Sequence, residues 1–430
     1  MGRVLRLAAV QPLNIPEEQA GNSREPIKEK TNKDIAAAEK EYKMAVPEKI
    51  RLLHREMTEW RRAIHACPET AFEERRTSVL VAEKLESFGL RVTRGLGKTG
   101  VVGTLSAGSG KRAIGLRADM DALRVQELNE FDYRSRNDGV MHACGHDGHT
   151  AMLLGAAKYL AAGGCFDGTI HFIFQPAEEW GGGGGEMVEQ GLFDKFPCDS
   201  VYGMHNWPGL PAGQFGVRPG PIMASSDIFE IELSGHGCHA AMPHTGVDLV
   251  VAASALVQAL QTIVSRSVDP LEPAVVSVTQ LHAGDAYNVI PGTAVLRGTT
   301  RAFKPEVQDL IERRMNEICA GIAATYGARA DLRYTRNYPP TVNTERETAI
   351  CASVLADLAG AENVIKVPQV MGSEDFSFML RARPGCYVFA GNGPVKDGCG
   401  LHNPRYDFND EILPVGAAYW VSLAEHILRK

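Results

Sequence analysis

The stretch TIHFIFQPAEE, residues 169–179, decides the fold class. It begins as a run of strand-forming apolar residues and ends in a proline followed by two glutamates. A helical pattern, TAMLLGAAKYLAA at 150–162, precedes it, and a second strand pattern, SVYGMHN at 200–206, follows it. Because strand and helix patterns alternate, the sequence predicts an α/β fold with a mostly parallel sheet.

The predicted strands end in groups that can bind a metal or transfer a proton. With the strand AIGLRAD at 113–119 included, these groups are Asp119, Glu178, Glu179 and His205. In open α/β sheets, ligands bind in the crevice outside the C-terminal ends of the strands. We therefore expect a polar site at that edge of the sheet.

A histidine- and cysteine-rich turn, MHACGHDGHTAM at 141–152, leads into the predicted helix. Cys144 and His146 offer a thiolate and an imidazole two residues apart, and both groups bind borderline transition metals. A buried cysteine in an ordinary turn before a helix is the alternative, and the pair alone does not decide. We interpret His142 and His149 as groups that pack around the site or orient its ligands.

Further candidate ligands are isolated in the sequence. His205 lies in GMHNWPG and His402 in GLHNPRYDFND, and the 178–179 pair read alone could be a solvated acidic turn. Adjacent residues of an extended chain point to opposite sides, so one glutamate could bind metal while the other acts on water. A thiolate, three imidazoles and a carboxylate together are about what two metal ions sharing a water need. Asp119 and Asp121 could also bind metal, but we interpret them as groups that orient the ligand histidines.

The segment from 221 to 335 has a different pattern, with the element order β-α-β-β-α-β. That order predicts a compact ferredoxin-like domain inserted into the first. The catalytic domain is then predicted at 47–220 and 336–430. Residues 1–46 are polar and charged, and we interpret them as a mobile N-terminal extension.

Composition excludes several classes of function. The formal net charge of −7 over 430 residues argues against nucleic acid as a partner, because phosphate binding needs a basic surface. Nine irregularly spaced cysteines fit a reducing compartment, the cytoplasm, better than a disulfide framework. No run approaches the roughly 18 apolar residues that a membrane helix needs, so we expect no membrane association.

Motifs of other enzyme classes are missing. The sequence has no G-x-S-x-G elbow and no C-x-x-C pair. The glycine run at 181–185 is not followed by G-K-[ST], so we interpret it as a flexible connection rather than a phosphate loop. A non-catalytic metal-binding dimer and a redox sensor built on Cys144 remain alternatives. The 178–179 pair argues against a non-catalytic metal-binding dimer, because a structural metal site does not need a second carboxylate next to a ligand.

Nine segments occur in an order that resembles the M20 metallopeptidase family, in its branch of hippurate, N-acyl-amino-acid and auxin-conjugate hydrolases. They are WRRAIHACPE, GLRADMDAL, MHACGHDGHTAMLLGAA, FIFQPAEE, GMHNWPG, GHGCHAAMPH, DAYNVIPGTAVLRGTTRAF, MGSEDFSFML and LHNPRYDFND. The resemblance spans about residues 48 to 430. It implies metal-dependent hydrolysis of the amide bond of N-acyl or N-aroyl amino acids. A dipeptidase or carboxypeptidase that uses the same site is the alternative.

The resemblance also implies a role for each site residue. The ligands of two divalent metal ions, for which zinc, manganese and cobalt are all suitable, would be Cys144, His146, Glu179, His205 and His402. Glu178 would be the general base that takes a proton from the attacking water and hands it to the departing amine.

The inserted domain resembles a lid that also carries the contact of a homodimer or higher homo-oligomer. The resemblance implies that His239 reaches a neighbouring active site and stabilises the oxyanion. It implies that Asn288 and Arg301 hold the carboxylate of the substrate. Departures from the family pattern occur at Cys67, Arg124, Trp180, His236 and Cys238. Trp180 could form an aromatic wall that suits a bulky acyl group, or could simply pack on the surface beside the glycine run.

Overall fold

The computed structural model describes residues 44–430. Its helices of four or more α-helical residues are α1 Glu48–Arg51, α2 His54–His65, α3 Arg75–Ser87, α4 His146–Ala161, α5 Gly183–Glu189, α6 Leu192–Lys195, α7 Leu249–Thr262, α8 Pro305–Tyr326, α9 Glu345–Ala359, α10 Phe376–Ala382 and α11 Leu413–Ile427. Its strands are β1 Arg91–Leu96, β2 Gly100–Ala107, β3 Ala113–Asp119, β4 Gly168–Gln175, β5 Ser200–Trp207, β6 Phe215–Val217, β7 Gly220–Met223, β8 Ser226–Ser234, β9 Cys238–His239, β10 Ala274–Ala283, β11 Val289–Ile290, β12 Thr293–Ala302, β13 Arg329–Tyr338, β14 Thr341–Asn343, β15 Val364–Lys366 and β16 Gly385–Gly391.

The larger sheet of the described residues has eight strands in the order β1-β2-β4-β3-β5-β16-β6-β15. The central pairings β4–β3, β3–β5 and β5–β16 are parallel, as is β15–β6 at one edge. The pairings β1–β2, β2–β4 and β16–β6 are antiparallel. Strands β3 and β16 are buried at every position, as expected where both faces of a sheet are covered. The predicted α/β class with a mostly parallel sheet is confirmed.

Helices cover both faces of this sheet. On one face, α4 packs against β3 and is in turn covered by α2 and α11, which leaves most of α4 buried. On the other face, α5, α6 and α10 contribute Met187, Leu192, Phe376 and Met379 to a separate apolar core. The sheet edge that carries the predicted polar site therefore lies at the end of a rigid three-layer structure.

The turn before α4 is shaped by Gly145, which has a φ of 94°. A Cβ at this position would lie 2.3 Å from Oδ1 of Asn206, so no other residue fits without displacing β5. Because the chain reverses here, Cys144 and His146 both lie at the C-terminal edge of the sheet.

The second sheet of the described residues has four strands in the order β10-β12-β8-β13. Helices α7 and α8 cover one face, where Leu233, Leu256, Leu296 and Ile311 pack in a core of their own. Along the chain the elements run β8, α7, β10, β12, α8 and β13, which is the predicted β-α-β-β-α-β order. The last strand ends at Tyr338, so the observed unit extends past the predicted boundary at 335.

One helical segment of the described residues is long and apolar enough to cross a membrane by length and composition. Helix α7 continues through a π-helical turn, and the combined segment Leu249–Ser267 passes by length and composition. Its apolar side, with Leu256 and Leu260 fully buried, packs against the second sheet. A core helix of a soluble protein passes the same test, so this segment alone does not indicate a membrane span.

The interpretation of the glycine run at 181–185 as a flexible connection is wrong. Gly183, Gly184 and Gly185 are buried in the first turn of α5. A Cβ on Gly183 would lie 1.9 Å from the carbonyl oxygen of Pro176, and one on Gly184 would lie 2.8 Å from that of Asp375. Glycine is therefore required at these two positions, because the backbones of Pro176 and Asp375 lie too close to the helix for any side chain.

Most of the predicted N-terminal extension lies outside the described residues. Of its residues, 44–46 are described, and Ala45 donates a backbone hydrogen bond of 2.8 Å to the carbonyl oxygen of Leu358. Met44 and Val46 pack against the main apolar core. The described chain thus joins the core slightly before the predicted boundary at 47.

Candidate metal centre

Five side chains from four segments converge at the C-terminal edge of the first sheet. Sγ of Cys144 lies 3.3 Å from Nε2 of His205. Oε1 of Glu179 lies 3.3 Å from Nε2 of His402 and 3.9 Å from Nε2 of His146. The potential ligand atoms form two overlapping groups, each within 4.8 Å, namely Cys144 with His146 and His205, and Cys144 with Glu179 and His402.

Two atoms of this cluster are buried without a hydrogen-bond partner among the described residues. They are Nε2 of His146 and Oε1 of Glu179. A buried polar atom that lacks a partner is costly and rare, so both atoms call for an electropositive ligand. The donor set of thiolate, imidazoles and carboxylate is one that borderline divalent cations accept, so the residues present fit a metal centre.

The remaining ring nitrogens of two candidate ligands are held by the surrounding protein. Nδ1 of His146 lies 3.2 Å from Oδ1 of Asp121, whose other oxygen accepts the backbone N–H of Glu179 at 2.9 Å. Nδ1 of His205 lies 2.6 Å from the carbonyl oxygen of Asn206. When Nδ1 carries the proton, the Nε2 atom of each ring is left with its lone pair directed into the cluster.

Asp119 has different contacts from Asp121. Its Oδ1 atom lies 2.6 Å from Nδ1 of His149, and the other ring nitrogen of His149 lies 2.7 Å from Oδ1 of Asn206. Arg117 donates to Oδ2 of Asp119 at 2.6 Å. Asp119 therefore binds His149 and Arg117, which lie next to the cluster, and makes no hydrogen bond to any of the five candidate ligands.

The buried carboxylate of Glu178 makes no hydrogen bond within residues 44–430. One of its oxygens lies within 4.8 Å of a ring nitrogen of His146, and one lies within 4.8 Å of an oxygen of Glu374 and of Asp375. Burial, followed by the charges of Glu374 and Glu179, raises the pKa of Glu178 well above its usual range. A carboxyl in such a place accepts a proton readily, which is what a general base requires.

A sequence model of peptidase family M20/M25/M40 matches residues 115–426. The chain belongs to this family. A hippurate hydrolase from Campylobacter jejuni is 43% identical over 378 residues, which cover 88% of this chain and 98% of that protein. Thermostable carboxypeptidase 1 from Saccharolobus solfataricus is 38% identical over 392 residues, which cover 89% and 98%.

A solved relative has the same fold. The crystal structure of a dinuclear metal-binding peptidase of the M20 family from Bacillus subtilis has a TM-score of 0.77 at 33% identity, covering 88% of this chain and 99% of that one. The family membership predicted from the nine sequence segments is thus confirmed.

In this M20 chain, a cavity of about 1040 Å³ opens directly at the cluster. Its walls come from both sheets, and among the residues that line it are Trp180, Trp207, Met223, Ile228, Arg301, Arg336, Tyr338 and Phe378. The cavity thus combines aromatic and aliphatic surface with two guanidinium groups. Trp180 is 74% exposed and lines the rim of the cavity. Its indole is therefore both a surface group and part of the cavity wall.

The predicted substrate-binding residues do not all reach this cavity. Arg301 lines it, and its Nη1 atom donates to the carbonyl oxygen of Thr300 at 2.9 Å. His239 and Asn288 do not line it. His239 lies in β9, where it is paired with Val289 of β11, and Asn288 lies in the turn just before β11. Both are exposed. That placement is compatible with the prediction that His239 serves a neighbouring active site, and the prediction remains untested.

Three buried charged residues beside the cluster were not identified from the sequence as site residues. Nη2 of Arg117 donates to Glu374 at 2.9 Å and to Asp375 at 3.0 Å. Burial raises the pKa of Asp375 to about 8. A signal was available for Arg117, since it is the only charge inside an otherwise apolar strand pattern that reads as buried on both faces. Glu374 and Asp375 follow no strand, and nothing in their local sequence marks them as buried.

Proposed function

We propose that this chain hydrolyses the amide bond of N-acyl or N-aroyl amino acids with two divalent cations. The ligands in this proposal are Cys144, His146, Glu179, His205 and His402. The supporting observation is the convergence of these five donors, two of them buried without partners, beside the unengaged carboxylate of Glu178. The hydrolase class predicted from the sequence agrees with the hippurate hydrolase relative.

The metal ions would be zinc, manganese or cobalt, since all three accept thiolate, imidazole and carboxylate ligands. Cations held there would lower the pKa of a water molecule and polarise the carbonyl group of the substrate.

The protein's own groups carry the proton. In the proposed reaction Glu178 accepts a proton from the attacking water and then delivers it to the amide nitrogen, so that the amine leaves neutral. Its raised pKa favours the first transfer, and the lack of a hydrogen-bonding partner leaves the carboxylate free to turn between the two positions.

Recognition of the substrate would divide between the two ends of the cavity. Arg301 presents a guanidinium that can clamp the carboxylate of the amino acid with paired hydrogen bonds. The aromatic surfaces of Trp180, Trp207 and Phe378 would receive the acyl or aroyl group. Such a division suits a small-molecule substrate with one anionic and one apolar end.

We further propose a homodimer formed through the inserted domain, in which His239 and Asn288 complete the active site of the other subunit. The proposal is supported by their exposure and by their absence from the lining of the cavity in their own subunit. A cytoplasmic location is part of the proposal, since all nine cysteines are free thiols.

A carboxypeptidase or dipeptidase activity is the second candidate. The carboxypeptidase relative favours it, and the same Arg301 clamp would bind a C-terminal carboxylate. The two activities differ in whether the acyl side of the substrate carries a free amine, and the aromatic surfaces of Trp180, Trp207 and Phe378 favour the first.

A hydrolysis screen tests the proposed function. The protein is stripped with a chelator, and hippurate, N-acetyl amino acids and dipeptides are each offered with zinc, manganese or cobalt added back. We expect turnover only with added metal and highest kcat/KM on N-acyl or N-aroyl amino acids. Highest activity on dipeptides would favour the second candidate, and full activity of the stripped protein would refute the metal centre.

Mixing two inactive variants tests the shared active site. His239→Ala and Glu178→Gln subunits are combined and allowed to exchange. About half of the dimers should then be hybrids with one intact site, so we expect recovery to about a quarter of wild-type activity. No recovery after proven subunit exchange would show that His239 does not act across the dimer.

A further inference from the structure

Glu74 is a fully buried acid on the far side of the loop that carries Glu178. It immediately precedes α3 and does not line the cavity. Its Oε1 atom accepts the backbone N–H of Ala177 at 2.9 Å and that of Phe72 at 3.0 Å. Its Oε2 atom accepts from Oγ1 of Thr99 at 2.5 Å. One side chain thus joins three separate segments directly behind the candidate base.

The two residues whose N–H groups meet at Oε1 both have strained backbones. Ala177 has a φ of 56° and Phe72 a φ of 64°, in the left-handed region that disfavours side chains. Such conformations persist only where surrounding contacts hold them. The shared carboxylate oxygen is a contact that both residues lose if they relax to ordinary backbone angles.

The conformation of Ala177 determines where Glu178 points, because the two residues are adjacent. Two other backbone groups around Glu178 also make hydrogen bonds. The carbonyl oxygen of Ala177 accepts from the N–H of Gly183 at 3.0 Å, and that of Glu178 accepts from the hydroxyl of Tyr338 at 2.8 Å. Glu74 adds a third hydrogen bond, which it accepts from the backbone N–H of Ala177, the residue before the proposed base.

We infer that Glu74 is a positioning residue, which keeps Ala177 in its left-handed conformation and thereby aims the Glu178 carboxylate at the substrate. The inference rests on the proposed role of Glu178 as general base. It concerns hydrogen-bond acceptance rather than charge, because Oε1 needs only its lone pairs to hold both N–H groups.

A glutamine can reproduce this arrangement. Its amide oxygen accepts from Ala177 and Phe72, and its amide nitrogen donates to the Thr99 hydroxyl, which can reverse its own role. Burial raises the pKa of Glu74 to about 7, so the neutral acid that glutamine imitates is already accessible to the native protein. A leucine has a similar size but accepts no hydrogen bond.

The experiment compares Glu74→Gln with Glu74→Leu in the metal-loaded enzyme. Glu73→Leu, at an exposed neighbouring position, is the matched control. We expect Glu74→Gln and Glu73→Leu to keep kcat within about threefold. We expect Glu74→Leu to lose kcat by about 100-fold with little change in KM or bound metal, as misplacement of a base does.

A second change separates positioning from general damage. Glycine adopts positive φ without strain, so Ala177→Gly added to Glu74→Leu should recover kcat by about tenfold. If Glu74→Leu does not fold, Glu74→Asp takes its place, because it is one methylene shorter and cannot reach all three donors. Wild-type kcat in a folded Glu74→Leu or Glu74→Asp enzyme would overturn the inference, as would an equal loss in Glu74→Gln.

Hydrogen exchange gives a readout that does not need turnover. The peptide around Ala177 should exchange faster in Glu74→Leu than in the wild type and at the native rate in Glu74→Gln. An unchanged exchange rate in Glu74→Leu would contradict the claim that Glu74 holds the backbone at Ala177. If the wild-type enzyme hydrolyses none of the amides offered, the proposed function fails, and this comparison still decides whether Glu74 holds Ala177.

Discussion

Oε1 of Glu179 lies 3.3 Å from Nε2 of His402, whereas the adjacent Glu178 faces the carboxylates of Glu374 and Asp375. Burial opposes ionisation of Glu179, but the nearby imidazole of His402 and the charge of His146 outweigh it and lower the pKa of Glu179. The same burial, reinforced by acidic neighbours, raises the pKa of Glu178. The two consecutive glutamates thus have opposite pKa shifts. The lowered pKa of Glu179 suits a metal ligand, and the raised pKa of Glu178 suits a group that carries a proton.

The first prediction concerns Glu178→Gln. The amide has the size of the acid but cannot accept the proton, so we expect a loss in kcat of about 1000-fold with unchanged metal content. Metal is measured by elemental analysis and turnover on an N-acyl amino acid. Glu189→Gln, an exposed carboxylate at the cavity rim, is the control and should behave as the wild type. Retained turnover in Glu178→Gln would remove it from the role of base.

The second prediction compares the two cavity arginines. Arg336 is ion-paired with Asp309 at 2.7 Å and Glu312 at 2.6 Å, whereas Arg301 contacts no carboxylate by an ion pair within the described residues. Arg301→Ala should therefore reduce kcat/KM on N-acyl amino acids by about 10- to 100-fold, and Arg336→Ala by much less. Simple amides without a carboxylate should be affected little by either change. An equal loss of Arg301→Ala activity on both kinds of substrate would contradict the carboxylate clamp.

The third prediction concerns Trp180 at the cavity rim. If its indole contacts the acyl group, Trp180→Gly should lower kcat/KM for an N-benzoyl amino acid by about tenfold relative to the N-acetyl compound. Because the side chain is 74% exposed, the melting temperature should hardly change. A parallel decrease for both substrates would mean that Trp180 does not contribute to acyl selectivity.

The fourth prediction uses two glycines in helices. Gly183→Ala places a methyl group against the carbonyl of Pro176, so we expect a loss of about 2 kcal/mol or more in the free energy of unfolding. A methyl group on Gly321 in α8 would meet nothing within 4 Å, so Gly321→Ala should stabilise by up to about 1 kcal/mol. Chemical denaturation measures both. Similar tolerance at the two positions would contradict the close approach of the Pro176 carbonyl to Gly183.

The fifth prediction concerns pH and Glu74. Burial raises its pKa from 4.5 to about 7, so its contribution to stability is complete below pH 4.5 and is lost as the pH rises through about 7. Glu74→Gln stays neutral throughout. The stability of this variant relative to the wild type should thus increase between about pH 5 and pH 8, by about 2–3 kcal/mol at most. A constant difference over that range would show that folding does not raise the pKa of Glu74.

The sequence was informative where short-range pattern and chemistry coincide. The strand predicted at 113–119 is observed as Ala113–Asp119, because a short, mostly apolar run that ends in an acid is typical of a buried strand. The five candidate ligands could be named because the short segments that carry them resemble a recognisable family arrangement.

Other features depend on partners that are distant in the sequence. The glycines at 183–185 look like a linker until Pro176 and Asp375 are found against them. Glu74 stands in a charged segment, AFEERR, where nothing separates the buried glutamate from its exposed neighbour Glu73. Long-range contacts, rather than local composition, set the roles of these residues.

The chain enters the second sheet on β8 and leaves it on β13, and these two strands are hydrogen-bonded neighbours, with Tyr338 paired with Ser226 at the point of exit. The hydroxyl of Tyr338 also bonds the carbonyl oxygen of Glu178. Any swing of the inserted unit therefore pulls on the backbone of the proposed base, so that opening and closing would be mechanically linked to whether the acid is aligned for reaction.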